Sequence, residues 1–202
     1  MLHRLVLASG NPGKLREFKR LLEPLGMEVV PQAKLGITEA DEPHVTFVEN
    51  ALAKARHASA HARLPALADD SGVVVDALDG APGVQSARFA GEPRSDERNN
   101  ALLLERLRGV ANRHAHYYCV LVLVRRADDP EPIIAEGSWA GRIVDLPRGD
   151  GGFGYDPYFE DIDTGMTGAE LPLDLKNARS HRGHAMRALL ARLQAMPGAP
   201  RA

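Results

Sequence analysis

Two stretches of this chain combine residue types suited to phosphate chemistry. Ser9-Gly10-Asn11-Pro12-Gly13-Lys14 sets two glycines, short polar side chains and a lysine directly after the apolar run Leu5-Val6-Leu7-Ala8. Where such a turn opens a helix, backbone N–H groups and the helix dipole favour an anion, and Lys14 adds a full positive charge. A helix terminus alone supplies only about 0.3–1 kcal/mol, whereas micromolar binding needs about 8 kcal/mol. Lys14 and further partners elsewhere in the chain must therefore contribute. The spacing is not that of the Walker loop, which places four residues between its first glycine and a Gly-Lys pair and then a hydroxyl residue; here Leu15 follows Lys14.

The second stretch, Asp69-Asp70-Ser71-Gly72, supplies adjacent carboxylates. On an extended chain successive side chains point to opposite faces, so the two acids are expected to do different jobs. A hard cation such as Mg²⁺ takes one or two carboxylates together with substrate phosphates, and Glu42, beside Asp41, is the second acidic candidate. The same four residue types are also at home in an ordinary turn, and the run 66–75 reads as two strand pieces joined at an acidic bend.

Two later segments offer contacts for the rest of a nucleotide. Gly151 through Pro157 frames Phe153, Gly154, Tyr155 and Asp156 with glycines, so that a purine could stack on an aromatic ring while Asp156 makes a polar contact. Ser180-His181-Arg182-Gly183 opens the last helix with Ser180 as its cap and two donors beside the terminus. Arginine outnumbers lysine 20 to 5, yet lysine is kept at positions 14, 54 and 176, a mild sign that compact point charges matter there. No histidine or cysteine pattern suits zinc, His116 and Cys119 lie in a strand that reads as structural, and no Gly-x-Ser-x-Gly elbow is present.

These groups need a scaffold, and the patterning predicts one. A short buried strand over Leu5–Ala8 leads to a helix capped by Asn11, with Pro12 in its first turn and apolar residues at Leu15, Phe18, Leu22 and Leu25. Val29-Val30 starts a second strand. Thr46 and Glu49 form a capping box for a helix running to about His61, and a third helix covers Ser95 to about Leu107. Strands at Tyr117–Val124 and Ile133–Trp139 form a hairpin turned by Asp128-Asp129-Pro130, and a helix from Ser180 to about Met196 closes the chain. The expectation is an α/β fold with two lobes around a cleft and a long mixed central sheet flanked by helices. It is read as one domain over residues 1–197, with a disordered tail at 198–202.

The bulk numbers narrow the function. A formal charge of −2 over 202 residues gives no broad positive field, which argues against a nucleic-acid partner. One cysteine, no apolar run near the ~18 residues a membrane span needs and no signal-peptide core point to a reducing cytoplasm rather than to export or a membrane.

In order and spacing, the motifs resemble those of the inosine triphosphate pyrophosphatase family, the non-standard purine NTP pyrophosphatases. The resemblance is carried by Ser9 through Lys14, Thr46-Phe47-Val48-Glu49-Asn50-Ala51, Ala68 through Gly72, Gly80-Ala81-Pro82-Gly83-Val84, Ser86-Ala87-Arg88, Gly151 through Pro157 and Ser180 through Gly183. It covers nearly the whole chain. It implies a homodimer that uses Mg²⁺ to hydrolyse dITP, ITP and XTP to the monophosphate and pyrophosphate. It also implies phosphate binding by Ser9, Gly10, Asn11, Pro12, Gly13, Lys14 and Lys176, with Asp70 as general base or metal carboxylate. Ser71, Phe153, Gly154, Tyr155 and Asp156 would be further substrate contacts, and His181 and Arg182 base readers. Ser9, Gln85 and His184 stand where relatives commonly carry threonine, tyrosine, and lysine or glutamine, which leaves the ranking among ITP, dITP and XTP open. A pyrimidine-directed pyrophosphatase and a non-catalytic nucleotide sensor are the alternative readings.

Overall fold

The computed structural model describes residues 4–22 and 26–195 of the chain. Leu25 and the tail expected at 198–202 lie outside the described residues. The fold is α/β, as expected, with a six-stranded sheet in the order β2-β1-β3-β4-β5-β6. The strands are β1 Arg4–Ala8, β2 Glu28–Pro31, β3 Ala66–Val75, β4 His114–Val124, β5 Ile133–Ile143 and β6 Phe159–Asp161. The helices are α1 Pro12–Leu22, α2 Phe47–Ala62, α3 Asp96–Arg106, α4 Leu173–Arg179 and α5 His181–Gln194. β1 runs parallel to both β2 and β3, whereas β5 and β6 are antiparallel, so the sheet is mixed.

The described residues fall into two compact units. The first takes the chain up to Asp70, Cys119–Gly137 and the chain from Ala185 onward; the second takes Ser71–Tyr118 and Ser138–His184. Each has its own apolar core. In the first, Leu5, Leu7, Phe18, Leu22, Leu67, Leu121, Leu123, Met186 and Leu189 pack together. The second gathers Val73, Val75, Leu103, Leu107, Tyr117, Trp139, Tyr155 and Phe159.

Local chemistry accounts for the helix boundaries. Asn11 Oδ1 accepts from the amides of Gly13 (2.8 Å) and Lys14 (3.2 Å), which makes it the cap of α1, with Pro12 in the first position as expected. Thr46 caps α2 by accepting from Glu49 N at 3.4 Å while its hydroxyl donates to Glu49 Oε2 at 2.5 Å. Ser95 Oγ caps α3 by accepting from Arg98 N at 3.2 Å, and Ser180 Oγ accepts from Gly183 N at 3.2 Å at the head of α5. β6 and α4 went unread in the sequence, because three and seven residues are too short to show a period.

One expectation is corrected. Residues 66–75 form a single ten-residue strand, not two pieces joined at an acidic bend. Gly72, read as turn chemistry, instead marks a close approach. A Cβ built there would sit 2.3 Å from Gly83 O and 2.4 Å from Ser86 Oγ, in the 3₁₀ segment Gly83–Arg88. Ser86 Oγ accepts from Val73 N at 2.9 Å and donates to Gly83 O at 2.6 Å, so the contact is fixed from both sides. Gly72→Ala should therefore destabilise the protein by about 1–3 kcal/mol through overpacking, read as a lowered denaturant midpoint; an unchanged midpoint would show that this segment yields freely.

Candidate active site

The register of β1 against β3 determines which groups meet in the first unit. Val6, Leu7 and Ala8 pair with Ala66, Leu67 and Ala68, so Asp69 and Asp70 continue β3 just where β1 ends and the chain turns into α1. The order β2-β1-β3, with parallel strands on both sides of β1, places this turn at a switch point of the sheet, the position where open α/β sheets bind ligands beyond their strand ends.

Each of the two acids is bound by its own lysine. Lys14 Nζ lies 2.8 Å from Asp69 Oδ2, with Asp69 only 1% exposed. Lys54 Nζ lies 2.9 Å from Asp70 Oδ1 and 2.8 Å from Glu42 Oε1, bridging two carboxylates that are distant in sequence. Asp69 and Asp70 thus have separate partners, as alternation along a strand predicts. Asn50 locks the arrangement: its Oδ1 accepts from His44 N (3.1 Å), and its Nδ2 donates to His44 O (3.2 Å) and to Asp70 Oδ2 (3.4 Å). The loop carrying Glu42 is thereby tied to α2 and to β3. Asp41, the neighbouring candidate, is exposed.

Burial pushes the Asp70 carboxyl above its usual range, and the nearby positive charges of Lys54 and Lys14 offset this only in part. For Lys54, burial disfavours the charge, but attraction to Asp70, Asp69 and Glu42 outweighs it and holds the ammonium above its ordinary value. Asp70 therefore combines a raised proton affinity with a neighbouring positive charge, which suits a carboxylate that takes a proton from an attacking water.

The Ser9–Lys14 turn is more self-contained than the sequence suggested. Asn11 occupies the Gly13 and Lys14 amides, and Asn11 N itself donates to Ser9 Oγ at 3.3 Å. An anion at this terminus must exchange with the Asn11 side chain, and Lys14 remains the principal charge.

A divalent cation fits beside Asp70. Among the described residues no three acids, histidines or cysteines converge as a preformed metal cage. Mg²⁺ does not need one, because it commonly takes one or two carboxylates and completes its shell with water and phosphate. Glu42 and Asp70 supply hard oxygens of that kind, and the place between them already attracts one cation, the Lys54 ammonium.

The second unit holds the remaining candidates, and Asp156 organises them. It is 3% exposed. Its Oδ2 accepts from Phe153 N (2.7 Å) and from Lys176 Nζ (2.7 Å), and its Oδ1 accepts from Tyr117 Oη (3.4 Å). Lys176 Nζ also lies 5.3 Å from the centroid of the Phe153 ring. Gly152, at φ 73°, is required here, since a Cβ would meet Asp156 Oδ2 at 2.2 Å. Lys176, linked in the sequence reading to phosphate, is thus seated on Asp156 with its side chain 7% exposed. Of the two aromatics in the loop, only Phe153 keeps partial exposure. Tyr155 is buried in the second core and donates from its hydroxyl to Ser86 O at 2.8 Å. Gly154 is held by α3, its N donating to Asp96 Oδ2 (2.8 Å) and its O accepting from Asn100 Nδ2 (2.9 Å). Arg182 Nη2 donates to Ser71 Oγ at 3.1 Å, and His181 stacks on the Tyr117 ring with centroids 4.6 Å apart and planes 6° apart.

Asn50 and Tyr117 were given no site role from the sequence, and Lys54 was noted only as a retained lysine. A signal existed for Lys54: it is one of only five lysines among 20 arginines, and it stands one helical turn from Asn50 on α2. All three, Lys14, Lys54 and Lys176, are bound to buried aspartates.

The Ham1 family model matches residues 5–192. The chain is 64% identical over 196 residues to the dITP/XTP pyrophosphatase of Ralstonia nicotianae, covering 96% of this chain and 98% of that one. It is 64% identical over 197 residues to the dITP/XTP pyrophosphatase of Aromatoleum aromaticum, covering 98% and 100%. Among solved structures, a HAM1 protein from Coxiella burnetii superposes with a TM-score of 0.89 at 44% identity, covering 97% of this chain and all of that one.

The lysine bridge has a measurable consequence. Lys54→Met removes the nearest positive charge from Asp70 and leaves burial less opposed, so the Asp70 carboxyl should titrate at higher pH than in the wild type, as read by carboxyl-carbon NMR. An unchanged or lower midpoint would show that Lys54 does not hold Asp70 ionised.

Proposed function

We propose that this chain, which belongs to the Ham1 family, hydrolyses non-standard purine nucleoside triphosphates, dITP, ITP and XTP, to the monophosphate and pyrophosphate, removing deaminated purines from the nucleotide pool. The observation that carries the reading is the pairing of Asp69 with Lys14 and of Lys54 with both Asp70 and Glu42 near the end of β1. Two ammonium groups and a buried base beside a helix terminus are what attack on a polyphosphate requires, and the 64% identical relatives are dITP/XTP pyrophosphatases.

In this reading Lys14 and Lys54 exchange part of their contact with the carboxylates for phosphate oxygens and offset the negative charge that grows during attack. Asp70 orients a water molecule and takes its proton as the oxygen bonds to the α phosphorus. The bond from that phosphorus to the α–β bridging oxygen breaks, and pyrophosphate departs. Glu42 and Asp70 would hold Mg²⁺, which supplies Lewis-acid polarisation of the phosphates. Ser9 and Asn11 line the turn that receives the polyphosphate, with Gly10, Pro12 and Gly13 shaping it.

In the same reading His181 and Arg182 read the base. Hypoxanthine and xanthine carry a carbonyl at C6 where adenine carries an amino group, so donors from His181 and Arg182 suit the first two and leave an unpaired contact with ATP. Phe153 offers a ring face for stacking, Ser71 seats Arg182, Lys176 and Asp156 fix the loop, and Tyr155 and Gly154 hold its shape. The formal charge of −2 supports a small-molecule substrate over a nucleic acid. No helix among the described residues is long and apolar enough to cross a membrane. The resemblance to the inosine triphosphate pyrophosphatase family extends the proposal to a cytoplasmic homodimer.

Three outcomes are expected. With Mg²⁺ and a panel of nucleoside triphosphates, the protein should release pyrophosphate from ITP, dITP and XTP in preference to ATP; orthophosphate as the product would place cleavage at the terminal phosphate and end this reading. Asp70→Asn should retain nucleotide binding while turnover falls by roughly 10²–10⁴-fold, and near-normal turnover would remove Asp70 from the base role. Arg182→Ala should narrow the preference for ITP over ATP, whereas an unchanged ratio would take Arg182 out of base recognition.

A further inference from the structure

Tyr117 lies in β4 and is 8% exposed. It belongs to none of the motifs that carry the resemblance, yet it touches His181, assigned to base recognition, and Asp156, assigned to fixing the Phe153 loop. Its ring lies nearly parallel to the His181 imidazole, 6° between planes and 4.6 Å between centroids. Its hydroxyl reaches Asp156 Oδ1 at 3.4 Å. The ring is itself held by neighbours: Trp139 lies 5.8 Å away at 16°, and Phe159 packs at 4.6 Å and 59°. Trp139 also runs nearly parallel to His181, at 9°, but its centroid is 6.4 Å away, so Tyr117 is the nearer support.

An imidazole at the first position of a helix has two soft torsions, and nothing in the helix backbone sets the plane of its ring. A reader of a planar base needs that plane fixed, because a misdirected N–H loses its hydrogen bond within a few tens of degrees. The Tyr117 face supplies such a fixed plane. The two contacts differ in weight: the stack is close and nearly parallel, whereas an O···O separation of 3.4 Å is long for a hydrogen bond, so the ring does most of the positioning.

We infer that Tyr117 is a positioning residue for substrate selection: its ring sets the plane of the His181 imidazole and its hydroxyl steadies Asp156, so that the C6 carbonyl of a deaminated purine is recognised. This rests on the base-reading role given above to His181. Tyr117 touches neither Asp70 nor the lysines in the described contacts, so it acts on recognition and not on the attacking water.

The test is steady-state kinetics on ITP and ATP for wild type, His181→Ala, Tyr117→Phe, Tyr117→Leu and Tyr117→Met. Removing the ring should raise KM for ITP about 10-fold, the scale of one aromatic stacking contact, leave kcat within about 2-fold, and lower the ITP-to-ATP ratio of kcat/KM. Tyr117→Phe, which keeps the ring, should restore the wild-type ratio. If His181→Ala lowers the ratio while folded Tyr117→Leu or Tyr117→Met leaves it intact, the positioning role is wrong and the base-reading assignment stands. If His181→Ala itself leaves the ratio unchanged, the assignment fails and the role of Tyr117 falls with it. Loss of the fold in both ring-less variants, judged by circular dichroism and thermal melting, would also overturn the proposal by reducing Tyr117 to a packing residue.

Discussion

Two carboxylates on consecutive residues of one buried strand repel each other and lose hydration, and a fold that keeps both must bring positive charge to each. Here Asp69 receives Lys14 from the first turn of α1, and Asp70 receives Lys54 from the middle of α2. The first pairing follows from the β1–β3 register, which carries β3 past the end of β1 to the start of α1. The second follows from α2, whose Asn50 and Lys54, one turn apart, both reach Asp70. Much else in the first unit serves this charge pattern, including the Thr46 cap that starts α2 and the Asn50 clasp on His44 that brings Glu42 to the same ammonium. Leaving one member of a buried ion pair without its partner typically costs about 3–5 kcal/mol, so such sites are held firmly until a substrate offers replacement charges.

The second unit repeats the device with one carboxylate. Asp156 is bound by Lys176, by the Phe153 amide and by the Tyr117 hydroxyl, and the loop that would face a base is shaped around it. Burial and the neighbouring Asp156 charge push the Tyr117 hydroxyl well above its ordinary value, so the phenol stays protonated and donates. A rigid frame of this kind suits discrimination between bases that differ by a carbonyl or an amino group, because the penalty against the wrong base comes from polar groups that cannot move to compensate.

What could be read from the sequence was what local chemistry encodes. Asn11, Thr46 and Ser180 as caps, the helical periods and the strand-like apolar runs all reappear in the structure, as does the α/β class. Gly72 was misjudged because a glycine after two acids looks like a turn, whereas its reason is the backbone of Gly83 approaching from eleven residues away. Tyr155 looked available for stacking because glycines flank it, yet its ring fills the second core. The Tyr117–Asp156 contact spans 39 residues and carries no local signature. The lysines at 14, 54 and 176 were visible as a choice of residue type, but their aspartate partners depend on strand register and helix packing. Site geometry was hidden wherever it came from tertiary pairing and legible wherever it came from a motif.

The most direct test of the account is a crystal structure with an ITP analogue whose α–β bridging oxygen is replaced by a non-hydrolysable group, soaked with Mn²⁺ as an anomalous marker. Manganese should lie against Asp70 and Glu42, with the polyphosphate on Lys14 and Lys54. Polyphosphate bound elsewhere, with both lysines still closed on their carboxylates, would contradict it.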